Sequence, residues 1–281
     1  SVYDFKNYRY QLGSVQEVGN IYPKYYLKAF YDGMTAEGDT MPISLIRSAW
    51  AGSAKYGALV WSGDIVSTFE CFRRQVQAGL NMAIAGIPWW TTDIGGFHGA
   101  RTDDPDFHRL YIRWFEYGCF CPVMRLHGNR NPQEGYGAEQ IGSGSDNEIW
   151  SFGDKAYEIS KKYIFLRERL RDYIRTQMKK AHEDGTPMMR PVFYDFPTDQ
   201  ESWNVEDAYL FGPDLYVAPV MEDHVTEREV YLPDGTAWFN AWTGEKYEGG
   251  QNVTVAAPLD TIPVFVKEGA DAEKLLNIFS E

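Results

Sequence analysis

Between residues 17 and 181 apolar and polar positions follow two rhythms that take turns along the chain. Short apolar runs read as buried strands, and longer stretches with apolar residues three and four apart read as amphipathic helices. "VGNIYPKYYLKAFYDGM" is aromatic-rich and helical in spacing, and "MPISLIRSA" is a short buried strand ending at Arg47. "ALVW" is the next strand, ending near Asp64. Ser67 and Glu70 form an S-x-x-E capping box that opens the helix "TFECFRRQVQAGLNM". "AIAGIPWW" follows as a strand and "TTDIGGFHG" as a glycine-rich loop. Asp104 and Pro105 start the helix "DFHRLYIRWFEYGCF", and "CPVMRLHG" is a further strand ending at His127. After a polar, glycine-rich loop over 128–148, one long amphipathic helix runs from "KAYEIS" to "KKAHEDG", stopped by Gly185 and Pro187.

Alternating strands and helices imply parallel strands joined by right-handed crossovers. Asp64 and Asp93 are 29 residues apart, and Asp93 and His127 are 34 apart. That pitch suits a (β/α)8 barrel, in which about 250 residues make eight units. Four units are present, so the expected fold is α/β, the second half of such a barrel over residues 1–187. A doubly wound sheet competes, but no phosphate-binding glycine fingerprint follows a strand. From residue 188 the texture changes to short strands punctuated by turns such as Pro-Asp-Gly, which predicts a small all-β sandwich over 188–281.

Composition narrows the function. The chain has 281 residues, 44% of them hydrophobic, and carries 27 basic against 40 acidic groups for a net charge of −13. Acids spread along the sequence would repel the phosphates of nucleic acid and an anionic membrane surface. No apolar run approaches the length of a membrane span, and no leader peptide is visible. Cys71, Cys119 and Cys121 form neither a disulfide framework nor a metal-ligand pattern, and read as buried thiols of a reducing cytoplasm.

Four successive strand ends carry polar groups: Arg47, Asp64, Asp93 and His127. Taken singly, an acid at a strand end caps a helix, an arginine pairs with it, and a histidine sits satisfied in a core. Together they fall at the same place in their units, at the carboxyl ends where parallel barrels carry their sites. Trp61, Trp89, Trp90 and Phe97 crowd those ends. Carboxylates beside aromatics suit the hydroxyls and apolar face of a sugar, and hence glycoside chemistry with an acid protonating the leaving oxygen. Asp64, following an apolar strand beside Trp61, is expected to be desolvated and partly protonated, as a general acid requires. On local grounds Asp93 is the candidate second carboxylate.

"RSAWAGSAKYGALVWSGD", "GIPWWTTDIGGF" and "RLHG", in this order, resemble glycoside hydrolase family 31, and "YLFGPDLYVAPV" and "APLDTIPVFVKEGA" resemble its first C-terminal β-domain. The resemblance covers essentially the whole chain. It implies a retaining, exo-acting α-glycosidase of α-glucosidase or α-xylosidase type. Asp64 would be the acid/base, Arg47 and His127 would hydrogen-bond sugar hydroxyls, and Asp93 would line the subsite before the cleaved bond. Trp61, Trp90 and Phe97 would be aromatic wall positions. Asp93 thereby becomes a binding residue, and the nucleophile is expected upstream of Ser1, since Asp4 lies too far along to match its motif. No metal or organic cofactor is implied. The implied partners are a small carbohydrate and an N-terminal half-barrel, or a second copy of the chain. The alternative is a non-catalytic sugar-binding or structural remnant.

Overall fold

The computed structural model describes residues 2–136, 141–269 and 271–280. A small hairpin, β1 (Arg9–Tyr10) and β2 (Gly13–Ser14), and one helical turn, α1 (Val15–Val18), lead into α2 (Tyr22–Ala36). Three strands follow, β3 (Ser44–Ile46), β4 (Ala58–Trp61) and β5 (Trp90–Thr91), paired in parallel in that order, with Ile46 beside Val60 and Val60 beside Trp90. Helices α3 (Phe69–Ile84) and α4 (Pro105–Cys119) cross over between and beyond them. Side chains alternate along each strand, so Ile46, Val60 and Trp90 face the helices while Leu45, Leu59 and Trp61 face the other way. The helix-facing set is packed in the core. The opposite set is partly or largely exposed, as the inner wall of an arc of barrel would be.

The segment expected as a strand from Cys121 to His127 forms no strand and opens on bends at 121–123. It runs beside β5 with Val123 N donating to Trp90 O at 3.2 Å and Ile94 N to Arg125 O at 3.4 Å. The chain then makes the antiparallel hairpin β6 (Arg130–Tyr136) and β7 (Ile141–Ser145) inside the stretch expected as loop.

The expected Ser67–Glu70 capping box is not formed, and a simple cap one residue later takes its place. Thr68 caps α3, its hydroxyl accepting from Cys71 N at 3.1 Å, while Ser67 lies outside the helix. Asp104 caps α4 as expected, with Pro105 in its first turn. Every residue of α4 from Leu110 to Cys119 is buried. A helix buried on all sides needs cover on both. Here the strands lie on one side, and the next helix and the β-domain lie on the other. The long helix expected after residue 154 is two, α5 (Asp154–Arg169) and α6 (Arg171–Glu183). They are bent at the buried Leu170. Arg167 ties α5 to the carbonyls of Cys119, Cys121 and Pro122, whereas Tyr173 in α6 reaches Phe211 O at 3.0 Å.

From Met189 the fold is antiparallel. β8 (Met189–Arg190), β9 (Tyr209–Phe211), β10 (Leu215–Val217), β11 (Glu227–Leu232), β12 (Ala237–Asn240), β13 (Lys246–Glu248), β14 (Gln251–Ala256) and β15 (Val264–Lys267) precede a final helix, α7 (Ala272–Ser280). Six of these strands form one sheet in the order β13-β12-β15-β10-β9-β8, and β11 pairs with β14 as a separate ribbon. Val230, Leu232, Val253 and Val255 of the ribbon pack on Tyr216, Trp238 and Phe265 of the sheet, the two layers of a sandwich.

Arg113, buried in α4, joins the two parts. It donates to the carbonyls of Ala257 (2.7 Å), Pro258 (3.0 Å), Val225 (3.2 Å) and Thr261 (3.3 Å) in the β-domain. Beside it Arg109 pairs with Asp223 at 2.7 Å. Among the described residues no helix is long and apolar enough to cross a membrane.

Candidate active site

The carboxyl ends of β3, β4 and β5 and the irregular 122–127 segment meet along one rim. Ser62 N donates to Thr91 O at 3.1 Å and Ser62 Oγ accepts from Asp93 N at 3.3 Å, which locks the loop after β4 to the loop after β5. Phe97 N and His98 N both donate to Ile65 O, at 2.7 and 2.9 Å. Asn129 N in turn donates to Phe97 O at 2.9 Å. The loops bearing Asp64, Asp93 and His127 are therefore stitched edge to edge.

Arg47 follows β3 and its Nη2 lies 3.1 Å from Asp64 Oδ2, with the arginine side chain 66% and the aspartate 39% exposed. The two meet where solvent or a ligand has access, and such an open pair adds little to stability. The expected desolvation of Asp64 is not observed. Its strand is buried on one face only, and Gly63, with φ of 76°, turns the chain so that the carboxylate leaves the wall toward the open side.

The desolvated acid is Asp93, whose side chain is 0% exposed. Burial pushes its carboxyl above the usual range, opposed chiefly by the Arg125 guanidinium and further by the neighbouring His127, while the charge of Asp64 acts with the burial. Arg125 pairs with Asp93 Oδ1, and among the described residues the buried Oδ2 has no partner. Arg125 thus holds one oxygen of this carboxylate, and the other is dry and lacks a hydrogen bond. It is poorly placed to be a free nucleophile. His127 is exposed, and its ring stacks on Phe97 at 5.4 Å.

Trp61 lies half-buried on the inner face, beside Thr91. Trp90 does not join the cluster. It points into the helix layer, where a Cβ added at Gly79 would lie 2.7 Å from its Nε1. Its neighbour Trp89 alternates to the inner face, and among the described residues neither indole N–H finds a partner. Sequence reasoning also passed over Arg125, the first residue of "RLHG". Its signal was a cation two residues before the histidine in a segment bordering an acid-bearing strand end. Among the described residues no three potential ligands gather to hold a metal ion.

Residues 2–177 match the glycosyl hydrolases family 31 TIM-barrel domain, and residues 185–270 match the glycosyl hydrolase family 31 C-terminal domain. An alpha-xylosidase of Saccharolobus solfataricus is 38% identical over 260 residues, covering 92% of this chain and 34% of that protein. The crystal structure of a family 31 alpha-xylosidase from a soil metagenome, complexed with xylose, superposes with a TM-score of 0.94 at 55% identity. That match covers 98% of this chain and 42% of the other. A family 31 dextranase mutant of Flavobacterium johnsoniae, complexed with isomaltotriose, superposes at 0.85 with 34% identity, covering 95% of this chain and 32% of the other. The chain thus spans about a third of the length of the curated relatives it matches. An arc of parallel barrel with its β-domain, carrying Arg47, Asp64, Asp93 and His127 along one rim, belongs to glycoside hydrolase family 31.

Proposed function

We propose that this chain is the acid/base-bearing part of a retaining, exo-acting α-glycosidase, with α-xylosides as the first substrates to try and α-glucosides the second. The observation that carries the reading is the meeting of an accessible Asp64 with Arg47 on the same rim as the buried, half-satisfied Asp93. Asp64 protonates the leaving oxygen and later takes a proton from water. Asp93, Arg47 and His127 hold ring hydroxyls, with Trp61 and Phe97 against the apolar face of the sugar. A retaining reaction needs its second carboxyl about 5–5.5 Å from the first. Asp93, bound to Arg125, does not serve, so the nucleophile comes from a segment preceding Ser1. The same segment closes the barrel over Leu45, Leu59 and Trp61. The similarity to alpha-xylosidases supports the choice of sugar. Buried thiols at Cys119 and Cys121, pushed up to about 12 by burial, suit a reducing compartment, which we take to be the cytoplasm.

The test is turnover by the polypeptide extended through its upstream half. Asp64→Ala should slow hydrolysis of an unactivated xylosyl disaccharide by about 10²- to 10⁴-fold. It should slow α-xylosyl fluoride far less, because fluoride departs without a proton. Equal losses on both substrates would remove Asp64 from the acid role.

A further inference from the structure

We propose that Arg130 is a positioning residue for sugar binding, a single buried guanidinium that fixes from beneath the three rim loops carrying Asp64, Asp93 with Phe97, and His127. The inference rests on the glycosidase reading for its substrate but on geometry for its substance. Arg130 begins β6 and is 0% exposed. Its Nη1 donates to Gly96 O at 2.7 Å, its Nη2 to Ile94 O at 3.1 Å and its Nε to Asn147 Oδ1 at 2.7 Å. Ser67 Oγ, on the loop that follows Asp64, lies 3.4 Å from Nη1. The guanidinium also sits over the Phe107 ring, 4.7 Å from its centroid.

Both carbonyls belong to the loop between Asp93 and Phe97. They reach the guanidinium because Gly95 and Gly96 adopt φ of 83° and 78°, a region that side chains disfavour. Space for the cation is kept by a third glycine. A Cβ at Gly128, next to His127, would stand 2.4 Å from Arg130 Cζ. Among the described residues Arg130 pairs with no carboxylate, and burial pulls it down to about 10, so it remains a cation at neutral pH.

An unpaired buried charge is costly unless its donors are all used. Here two bonds go to backbone carbonyls of the loop between Asp93 and Phe97 and the others to the side chains of Asn147 and Ser67, so the cation sets carbonyl positions that dispersed apolar packing would not. The charges facing Asp93 are Arg125, His127, Asp64 and, more remotely, Arg130. Arg130 therefore also helps Asp93 stay ionised to accept a sugar hydroxyl.

The experiment compares Arg130→Met, Arg130→Lys and Asn147→Ala in the enzyme extended through its upstream half, on an aryl α-xyloside. Arg130→Met should raise KM about ten- to a hundredfold with a smaller change in kcat. It should also move the acidic limb of the kcat/KM profile to higher pH. Lysine should restore the limb, because the charge returns, but not KM, because the fork of donors does not. Asn147→Ala leaves the charge in place and should raise KM without moving the limb, which covers the case in which Arg130→Met fails to fold. An unchanged KM and limb in folded variants overturns the inference. If the parent enzyme proves inactive on every α-glycoside, the glycosidase reading fails. The Arg130 inference is then decided by hydrogen exchange on the chain itself. The amides of Gly96, Phe97 and His98 should exchange faster in Arg130→Met, and unaltered exchange sinks it.

Discussion

Replacing Glu116 by glutamine should flatten the pH dependence of folding stability. Glu116 lies in α4 with its side chain 0% exposed, 3.2 Å from Arg113. Arg113 is already satisfied by four carbonyls of the β-domain, and among the described residues Glu116 Oε1 has no partner. Burial therefore dominates over the pairing and pushes the carboxyl from its ordinary 4.5 up to about 8. The folded protein holds this proton where the unfolded chain has released it. Stability from this group is thus full below about pH 4.5 and is lost as pH rises toward about 8. The slope approaches about 1.4 kcal/mol per pH unit, or about 4 kcal/mol between pH 5 and pH 8. Glutamine keeps the shape without the titration. Urea unfolding followed by tryptophan fluorescence at pH 5, 6.5 and 8 should find Glu116→Gln close to the parent at pH 5 and increasingly more stable above it. Parallel curves for the two proteins across that range would refute the reasoning.

Thr68→Ala should cost about 1 kcal/mol through loss of the bond from Cys71 N, whereas Ser67→Ala leaves that cap in place. Denaturant midpoints with unchanged slopes would register the difference between them. Phe72→Ala should cost about 3–5 kcal/mol, because the ring is fully buried, stacked on Trp114 at 4.8 Å and edge-on to Tyr117 at 5.4 Å. A shift of less than about 1 kcal/mol would refute close packing between α3 and α4 at this ring.

Strand ends were the most legible part of the site. Arg47 and Asp64 meet because each closes a short apolar run in neighbouring parallel strands, and such runs are visible in sequence. Which acid would be dry was not. Asp64 and Asp93 both follow apolar strands, and only the turn at Gly63 and the pairing with Arg125 send one outward and keep the other in. "PWWTTD" shows why the aromatics were harder. Two adjacent tryptophans on a strand must face opposite ways, and nothing in the letters says which faces the helices until Gly79 opens room for Trp90. The bend at Leu170 escaped notice because apolar spacing continues across it, while the partners that redirect the chain, Cys119 and Phe211, lie about 40 to 50 residues away. Arg130 was hidden inside a polar, glycine-rich stretch that reads as a solvated loop. Its burial depends on Gly95 and Gly96 of the loop after β5, on Gly128 just before it, and on Phe107 of α4.

The clamp of Arg113 on four carbonyls has a bearing on how such enzymes can be recombined. Carbonyl positions come from backbone, so any β-domain of the same shape offers the same acceptors whatever its side chains. A chimera that exchanges residues beyond 188 should keep its seam provided the barrel helix retains this arginine. One that imports the helix without it would strip four carbonyls of their shared donor, however well the two surfaces match in outline.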